Sequence, residues 1–410
     1  MLNSESHKIR VALVGNMNNN FFVLMRYLRD LGIDAHLFLF SNEKSHFLPE
    51  NDTWFIEKWE RFIHTMNFPS NYHSVKAFND EIWNLYFENY DVVIGSGITP
   101  AIFARVNKQL DIFKCYGADF YDLPFYKPFW HGGLISTVKA NLERFIGSGY
   151  QKKGLKETKY VFIFNSNKIM LETERKLGLD NVSKVSVPMV YNEEIKEIDW
   201  PKELSNHLEL VSKSDFLVMS HSRQVWKTLD NPASIKRNDI LIEGFALFLK
   251  ETNFRDPKLI LFEHGIDVEE SKKYVRELGI EDNVIWFPLI ARKFLSVLID
   301  KCNFGADQFH LGVWGGTTNE YLAKGKPLLN KISVDKTAYE SKTGTKFPPI
   351  LNAQTPQEVK HIFSDYERNV EKYNKIGNDS KLWFEEFMGI SLAEKYVEII
   401  SEIFSKKNKN

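Results

Sequence analysis

The sequence predicts an α/β protein with two domains, each built on a doubly wound parallel sheet. The chain has 410 residues, which is more than one ordinary core holds. Short buried-strand patterns alternate with helical patterns, as they do in parallel sheets with crossover helices. This alternation occurs twice, and a polar, charged stretch between Tyr191 and Lys213 separates the two series. We therefore expect a linker or hinge in that stretch.

The first series begins with a strand at residues 10–15, which ends in Gly15. A helix is expected next, because Phe22, Leu28 and neighbouring apolar residues recur at helical spacing until Gly32 stops the pattern. Further strands of this half are expected at residues 35–40, 90–95, 112–116 and 160–164. The pattern predicts a Rossmann-like N-terminal domain over residues 1–195.

The second series repeats this order and predicts a Rossmann-like C-terminal domain over residues 213–385. Strands are expected at residues 216–219, 258–262 and 283–287. Helical spacing predicts helices at residues 240–250, 269–278, 292–299 and 319–324. Apolar residues also recur at amphipathic spacing near the end of the chain, which predicts a final helix at residues 390–405.

Composition and charge exclude several classes of protein. Lys and Arg number 53 and Asp and Glu number 54, so no overall positive field favours nucleic acid. Cys115 and Cys302 lie far apart and outside any metal-binding spacing, which indicates a reducing compartment. The N-terminus is polar, and no run of about 18 apolar residues occurs. We expect a cytoplasmic protein without a membrane-spanning segment.

Several standard cofactor motifs are absent. The loop after the first strand has no GxGxxG, and no GxxxxGK[ST] occurs, which disfavours a dinucleotide clamp and a P-loop. The chain also contains no Asp-x-Asp and no HExxH. A metal site built on adjacent carboxylates or paired histidines is therefore disfavoured. We expect no metal and no bound cofactor.

The most informative segment is residues 306–329. It combines a strand, a glycine-rich turn, a helix that starts near Thr317 and Thr318, and a Gly-Lys-Pro stop at residues 325–327. Backbone amides at such a helix start form a site for phosphate, and Glu320 could accept hydrogen bonds from ribose hydroxyls. An ordinary strand-turn-helix junction with a surface glutamate explains the same pattern equally well.

This segment resembles glycosyltransferase family 4, whose members are retaining enzymes with the GT-B fold: two Rossmann-like domains whose parallel sheets face a central cleft. The family pattern is Glu, seven residues, Glu, then a small or apolar run and Gly-Lys-Pro. Glu320 matches the second glutamate, and Trp314 with Gly315 lies where the family usually has Phe-Gly. Gly312 occupies the position of the first glutamate, a carboxylate that touches the donor sugar in relatives. The resemblance implies a donor site formed by Gly315, Gly316, Thr317, Thr318 and Glu320.

A second match follows the strand at residues 216–219. That strand leads to Arg223, and the loop after it leads to Lys236-Arg237-Asn238-Asp239, where the family has a strand ending in Arg and then Lys-Gly-x-Asp. The resemblance implies that Arg223 and Lys236 hold the donor diphosphate and take part in catalysis. Because Arg237 replaces the usual glycine, we expect this loop to differ in shape. Two solvated surface cations are the alternative.

The N-terminal half matches more diffusely. Asp119 and the Leu-Pro-Phe run at residues 123–125 resemble a family region that faces the cleft, although Cys115 or Tyr116 stands at the position of the family's histidine. The resemblance implies that Asp119 is a catalytic polar group near the reacting sugar or acceptor; a turn or helix cap is an equally good interpretation. Acceptor-side candidates, on position alone, are Gly15, Asn16 and His131.

Two further features have a functional and a structural interpretation. Gly265, after a strand of the second half, can permit close approach of a ligand, although a plain turn is favoured. The aromatic stretch at residues 54–68, with Trp59 and Phe62, could lie on a membrane surface. Aromatic residues at helical spacing more often pack into a core, so core packing is the favoured interpretation.

The resemblance implies a hexosyltransferase or related enzyme of the EC 2.4 class. It would move a sugar from a nucleotide diphosphate sugar, such as a UDP-sugar, to a hydroxyl of a glycan, lipid-linked or protein-linked acceptor, with retention and without metal. It also implies that the helix at residues 390–405 joins the N-terminal domain. Peripheral contact with a membrane is a further expectation. The alternatives are a non-catalytic partner protein that keeps the fold and, less favoured, a sugar-nucleotide epimerase.

Overall fold

Parallel β-strands form the centre of both halves of the chain. The computed structural model describes residues 8–130, 132–163, 168–195, 198–228 and 234–409. The chain divides into two units, of which the first contains Met1–Tyr191 and Ile390–Asn410 and the second contains Asn192–Gly389.

The sheet of the first unit has seven strands in the described residues, all paired in parallel. They are β1 (Arg10–Val14), β2 (Asp34–Leu39), β3 (Ile63–Thr65), β4 (Val92–Gly95), β5 (Ile112–Lys114), β6 (Tyr160–Ile163) and β7 (Val182–Lys184). Their spatial order is β3-β2-β1-β4-β5-β6-β7, so the direction of winding reverses between β1 and β4. Loops that follow strands at such a switch point are the usual place for ligands in this class of sheet.

Helices cover both faces of this sheet. They are α1 (Asn20–Asp30), α2 (Ile56–Trp59), α3 (Tyr72–Ala77), α4 (Asp80–Phe87), α5 (Thr99–Arg105), α6 (Ala118–Tyr121), α7 (Leu134–Glu157) and α8 (Lys168–Leu177). One core cluster packs Phe22 and Leu24 of α1 against β1, and a second packs Ile102 and Phe103 of α5 against the other face. Two layers of apolar side chains therefore enclose the strands.

The second unit has a six-stranded parallel sheet in the described residues. Its strands are β8 (Phe216–Ser220), β9 (Pro257–Phe262), β10 (Val284–Phe287), β11 (Phe304–Ala306), β12 (Leu328–Asn330) and β13 (Leu351–Asn352), in the spatial order β10-β9-β8-β11-β12-β13. Its helices are α9 (Ser205–Lys213), α10 (Asn238–Leu249), α11 (Val268–Glu277), α12 (Arg292–Lys301), α13 (Gly316–Ala323), α14 (Lys336–Thr343), α15 (Pro356–Arg368) and α16 (Val370–Phe387). The predicted α/β class with two parallel sheets is confirmed.

The last helix, α17 (Ile390–Lys407), belongs to the first unit. Its buried residues Tyr396 and Ile400 lie in the same core cluster as β1 and α1. The Tyr396 hydroxyl donates a hydrogen bond to the carbonyl of Ser186, at 2.8 Å. The chain thus returns to its first unit after completing the second.

The prediction of a linker between Tyr191 and Lys213 is wrong for the second part of that stretch, where the structure contains α9. Leu204, Leu208 and Val211 are spaced along one face of this segment and pack in the core of the second unit. Most residues between them are polar, so the helical spacing of the apolar residues was not recognised in the sequence. The segment before α9 has a short 3-10 turn at Lys202–Leu204.

Candidate functional site

Glu320 lies in a network of charged and polar side chains in the second unit. Its carboxylate oxygen Oε1 accepts a hydrogen bond from Arg292 Nε at 2.7 Å, and His221 Nε2 lies 2.7 Å from Oε2. Burial raises the pKa of Glu320, but the positive charge of Arg292 and the contact with His221 outweigh it and lower that pKa to about 2. Glu320 is therefore an ionised acceptor at neutral pH, and its two oxygens retain lone pairs for further donors.

The buried tyrosine Tyr321 ties this network to the sheet. Its hydroxyl donates to the carbonyl of Met219, the fourth residue of β8, at 2.9 Å. His221 Nδ1 lies 3.0 Å from the same hydroxyl. The loop after β8 and the helix α13 are thus joined through two adjacent residues of α13.

Asp307 fixes the start of α13 beside the loop that follows β8. Its oxygens accept hydrogen bonds from the Ser222 hydroxyl at 2.9 Å, from the Thr318 hydroxyl at 2.9 Å and from the amide of Gly315 at 3.2 Å. Asp307 itself is buried and follows β11 directly. One carboxylate therefore holds the glycine-rich turn and the β8 loop together.

The first turn of α13 presents unoccupied amides. Gly315 precedes the helix and supplies no side-chain cap. Among the described residues, no acceptor lies on the amides of Gly316 or Thr317. Gly316 is exposed and Thr317 is half-buried. An exposed helix N-terminus with free amides carries partial positive charge and suits an anion.

Two cations lie near this turn. Arg223 is exposed just after β8, and Lys236 is half-buried at the end of the following loop. In the ranges that the structure describes, neither side chain makes a hydrogen bond or an ion pair. Burial lowers the pKa of Lys236, while the negative charge of Asp307 raises it and the positive charge of Arg223 lowers it further. Lys236 therefore lies within electrostatic range of both groups.

Arg237 has the backbone conformation that glycine favours. Its φ is 58°, in the left-handed region, so the residue carries strain at the start of α10. Its guanidinium makes hydrogen bonds of 2.7 to 3.1 Å with both carboxylate oxygens of Asp239. The loop does not need glycine to make this turn, so a change in shape does not follow from Arg237 alone.

Gly312 has a local reason to be glycine. Its φ is 72°, and a Cβ built there would lie 2.6 Å from the Ser333 hydroxyl oxygen. The amide of Ser333 also donates to the Gly312 carbonyl at 2.9 Å. A glutamate at this position would require Ser333 and the turn to move.

Gly265 permits close approach, but of the chain itself. A Cβ on Gly265 would lie 2.3 Å from the backbone carbonyl oxygen of Gln224. The amide of Gln224 donates to the carbonyl of His264 at 2.6 Å. The favoured interpretation of Gly265 as a structural turn accounts for these contacts.

Asp119, in the first unit, has extensive backbone contacts. Its carboxylate accepts hydrogen bonds from the amides of Tyr116, Gly117 and Gly97 at 2.8 to 3.2 Å. Burial raises the pKa of Asp119, and these hydrogen bonds oppose that rise. The contacts match the turn interpretation, because they join the loops after β4 and β5. A catalytic role for Asp119 stays a prediction.

The acceptor-side candidates also have structural contacts. Asn16 is buried and donates through Nδ2 to the carbonyl of Phe47 at 2.6 Å. Gly15 has φ 89°, and a Cβ there would lie 2.6 Å from the Ser96 hydroxyl oxygen. His131 lies outside the described residues. Acceptor binding by these three residues stays a prediction.

Core packing explains the aromatic stretch at residues 54–68. Phe62 is buried and Trp59 packs against the core of β1, β2 and α1. Trp59 also makes an edge contact with Tyr191, with ring centroids 6.1 Å apart. The favoured core interpretation is confirmed for these two residues.

Sequence reasoning missed His221 and Arg292. His221 lies two residues before Arg223, so its place after β8 could have been noticed. Arg292 begins α12, 28 residues before Glu320, and no spacing in the sequence links the two.

The described residues contain no group of three or more His, Cys, Asp or Glu side chains placed to hold a metal ion. Within the same ranges, no helix is both long and apolar enough to cross a bilayer.

Comparison with known proteins identifies the fold. No family model matches the chain, and no curated protein matches it. Among solved structures, the Anabaena protein Alr3699/HepE in complex with UDP-glucose is 13% identical, with a TM-score of 0.54 over 98% of this chain and 100% of that one. A glycosyltransferase from Rickettsia africae is 14% identical, with a TM-score of 0.57 over 97% and 99%. A putative UDP-N-acetylglucosamine 2-epimerase from Listeria monocytogenes is 15% identical, with a TM-score of 0.56 over 97% of each chain.

At these identities the likeness shows the fold. The class defined by the two parallel sheets and these neighbours is the GT-B fold. A glycosyltransferase and a putative epimerase are both among these neighbours, so the fold does not by itself assign an activity.

Proposed function

We propose that this protein is a glycosyltransferase that moves a sugar from a nucleotide diphosphate sugar to an acceptor hydroxyl. One observation carries the proposal: an ionised glutamate lies together in the second unit with a helix start and two cations whose amides and side chains have no partner among the described residues. The ribose hydroxyls of a nucleotide diphosphate would bind the glutamate. Its negatively charged phosphates would bind the helix amides and the two cations. The GT-B fold of the structural neighbours supports this proposal.

In the proposed reaction the bond between the sugar and the diphosphate breaks, and negative charge develops on the departing diphosphate. Arg223, Lys236 and the amides of Gly316 and Thr317 would stabilise that charge, which is where stabilisation lowers the barrier most. These groups allow the reaction to proceed without a metal. Retention at the anomeric carbon is part of the proposal and rests on the family resemblance alone.

Glu320 would hold the ribose. Arg292 and His221 fix its carboxylate and occupy one side of each oxygen, which leaves lone pairs for two ribose hydroxyls. Because its pKa is about 2, the carboxylate remains a pure acceptor throughout the physiological range. Arg292 and His221 are positioning residues in this scheme.

The acceptor is proposed more broadly, as a hydroxyl of a glycan, a lipid-linked molecule or a protein. Asp119, Gly15, Asn16 and His131 remain its predicted contacts. A cytoplasmic location with peripheral membrane contact is also part of the proposal.

Isothermal titration with UDP, GDP, ADP and their sugar conjugates tests the donor site. We expect one nucleotide to bind, and we expect Glu320→Ala and Lys236→Ala to weaken its affinity at least tenfold, as the loss of a charge-assisted contact does. Arg255→Ala removes an exposed arginine that precedes β9 at the opposite end of the sheet and should leave binding unchanged. No binding of any nucleotide by the folded protein would contradict the proposal and favour a non-catalytic partner.

Product analysis separates the two enzymes. With the bound sugar nucleotide, a transferase releases the nucleoside diphosphate and forms a glycoside with the acceptor, or slowly hydrolyses the donor when acceptor is absent. An epimerase gives the sugar epimer, which proton NMR resolves. For a transferase we expect Arg223→Ala to lower kcat more than donor affinity, because the diphosphate charge is largest in the transition state. Equal losses in both would count against the proposed role of Arg223.

A further inference from the structure

The first unit exposes a group of apolar side chains that the proposed donor site does not use. We name it the apolar platform and define it by Trp130, Leu134, Ile135, Val138, Leu142 and Phe145. Each of these side chains is between 56% and 86% exposed. Single exposed apolar residues are common on proteins, but a contiguous group marks an interaction surface.

The platform has a regular helical geometry. Leu134, Val138, Leu142 and Phe145 follow one another at intervals of three or four residues and therefore share one face of α7. Thr137, Ser148, Gln151 and Leu155 are buried and lie on a neighbouring face, roughly 100° around the helix from the apolar one. The apolar face spans roughly 16 Å along the helix.

The surface is held in place by the rest of the unit. The C-terminal half of α7 packs so closely on α5 that a Cβ on Gly154 would lie 2.0 Å from the carbonyl oxygen of Pro100. At the other end, Asn141 hydrogen-bonds both the amide and the carbonyl of Phe129, at 3.1 and 2.8 Å. The guanidinium of Arg144 lies over the Phe129 ring, 4.5 Å from its centroid. The platform is a fixed feature of the fold.

The same face of α7 carries positive charge further along the helix. Beyond Phe145, the face passes through Gly149 to Lys152 and Lys156, both exposed. Residues 126–156 contain six Lys and Arg and one acidic residue, although the whole chain has a net charge of −1. An apolar stripe with basic residues beside it is complementary to an anionic lipid surface, where apolar side chains enter the interface and lysines meet the headgroups.

We propose that the apolar platform docks the protein onto the surface of an anionic lipid bilayer. The basic flank of the platform disfavours a second copy of this chain, because a symmetric contact would bring like charges together. The docking does not depend on nucleotide-sugar binding, so its test needs no donor.

Co-sedimentation of the full-length protein with vesicles tests the proposal. We expect binding to vesicles of phosphatidylcholine mixed with phosphatidylglycerol, and much weaker binding to phosphatidylcholine alone. Lys152→Gln with Lys156→Gln should weaken binding to the mixed vesicles about fivefold for each lysine removed. The matched charge control is Lys168→Gln, on the exposed start of α8, which should bind like the native protein.

The apolar contribution is tested separately. Leu134→Ser with Val138→Ser should reduce binding at both low and high salt, whereas Leu85→Ser, at an equally exposed leucine of α4, should have no effect. Ile135→Trp should strengthen binding, because tryptophan favours the membrane interface. This gain also keeps the test valid should the serine variants fold poorly. Failure of the native protein to bind mixed vesicles, or equal losses in the platform and control variants, would overturn the proposal. So would a dimer in light scattering that the Leu134→Ser, Val138→Ser variant disrupts, since the platform would then belong to a second copy.

Discussion

The charge network around Glu320 predicts a specific dependence of stability on pH. Replacing Glu320 by Gln keeps the size of the side chain and an oxygen that can accept from Arg292, but removes the negative charge. Arg292 then loses its counter-charge in a largely buried site, and His221 loses the carboxylate that it contacts. We expect the second unit to be destabilised at neutral pH and the loss to shrink under acidic conditions.

The magnitude follows from the pKa of Glu320, which is about 2 in the folded protein against an ordinary value of 4.5. The difference corresponds to about 3 kcal/mol of stability. The folded-state pKa is the lower one, so this contribution is complete above pH 4.5 and is lost as the pH falls from 4.5 towards 2. The Glu320 side chain is 16% exposed, so screening by solvent reduces the figure only modestly.

Thermal unfolding of the native protein and of Glu320→Gln at about pH 7 and about pH 3.5 checks this. At the higher pH, a loss of about 3 kcal/mol should lower the melting temperature of a domain of this size by roughly 6–12 °C. At the lower pH the difference should shrink to about 2 kcal/mol, because roughly 1.4 kcal/mol is lost for each pH unit below 4.5. Glu263→Gln removes an exposed partner of Lys272 and should cost under about 1 kcal/mol. A difference between Glu320→Gln and the native protein that is the same at both pH values would refute the proposed network.

Three further predictions concern stability and can be checked by urea unfolding. Gly312→Ala should cost about 2 kcal/mol or more, because alanine is strained at φ 72° and its Cβ would meet the Ser333 hydroxyl; an unchanged midpoint would contradict this. Arg237→Gly should cost less than Arg237→Ala, since both lose an exposed ion pair but only glycine relieves the left-handed strain; the reverse order would show that strain is negligible there. Burial lowers the pKa of both His36 and His64, whose ring nitrogens lie 2.9 Å apart. A lowered folded-state pKa means that stability falls as the pH drops below about 6.5, so His64→Gln should flatten that dependence; a profile as steep as the native one would argue against the histidine pair.

The fold was predictable because its signal is repeated along the chain. Long apolar strand runs such as residues 10–15 and 258–262 correspond to central strands β1 and β9, which are buried on both faces. Edge strands carry less information. β3 (Ile63–Thr65) has three residues and no fully buried side chain, so its sequence did not distinguish a strand from a loop. The helix α9 was missed for a related reason, since only two apolar residues within it, Leu208 and Val211, mark its packed side.

The donor-side candidates were predictable where they followed strands. Arg223 follows shortly after β8, and the turn at residues 315–318 follows β11. Parallel strands bring their carboxyl ends to one edge of the sheet, so both segments are expected near that edge. Arg292 could not be found this way. It begins a helix, and only the packing of α12 beside α13 places its guanidinium on Glu320. Sequence position locates strand ends well, whereas contacts between helices depend on the folded structure.

The two departures from the family pattern differ in physical meaning. At Arg237 the backbone has a conformation typical of glycine, and the ion pair with Asp239 offsets part of the strain. The left-handed turn is therefore present although the residue is arginine and not the glycine of the family pattern. At Gly312 the backbone is left-handed, and a Cβ would lie 2.6 Å from the Ser333 hydroxyl oxygen, so any side chain there requires Ser333 to move. Introducing glutamate there would therefore displace Ser333 before its carboxylate could reach a sugar. If the protein transfers sugars as proposed, a group other than residue 312 contacts the donor sugar. Gly312→Glu, which restores the family residue, should then lower activity and not raise it.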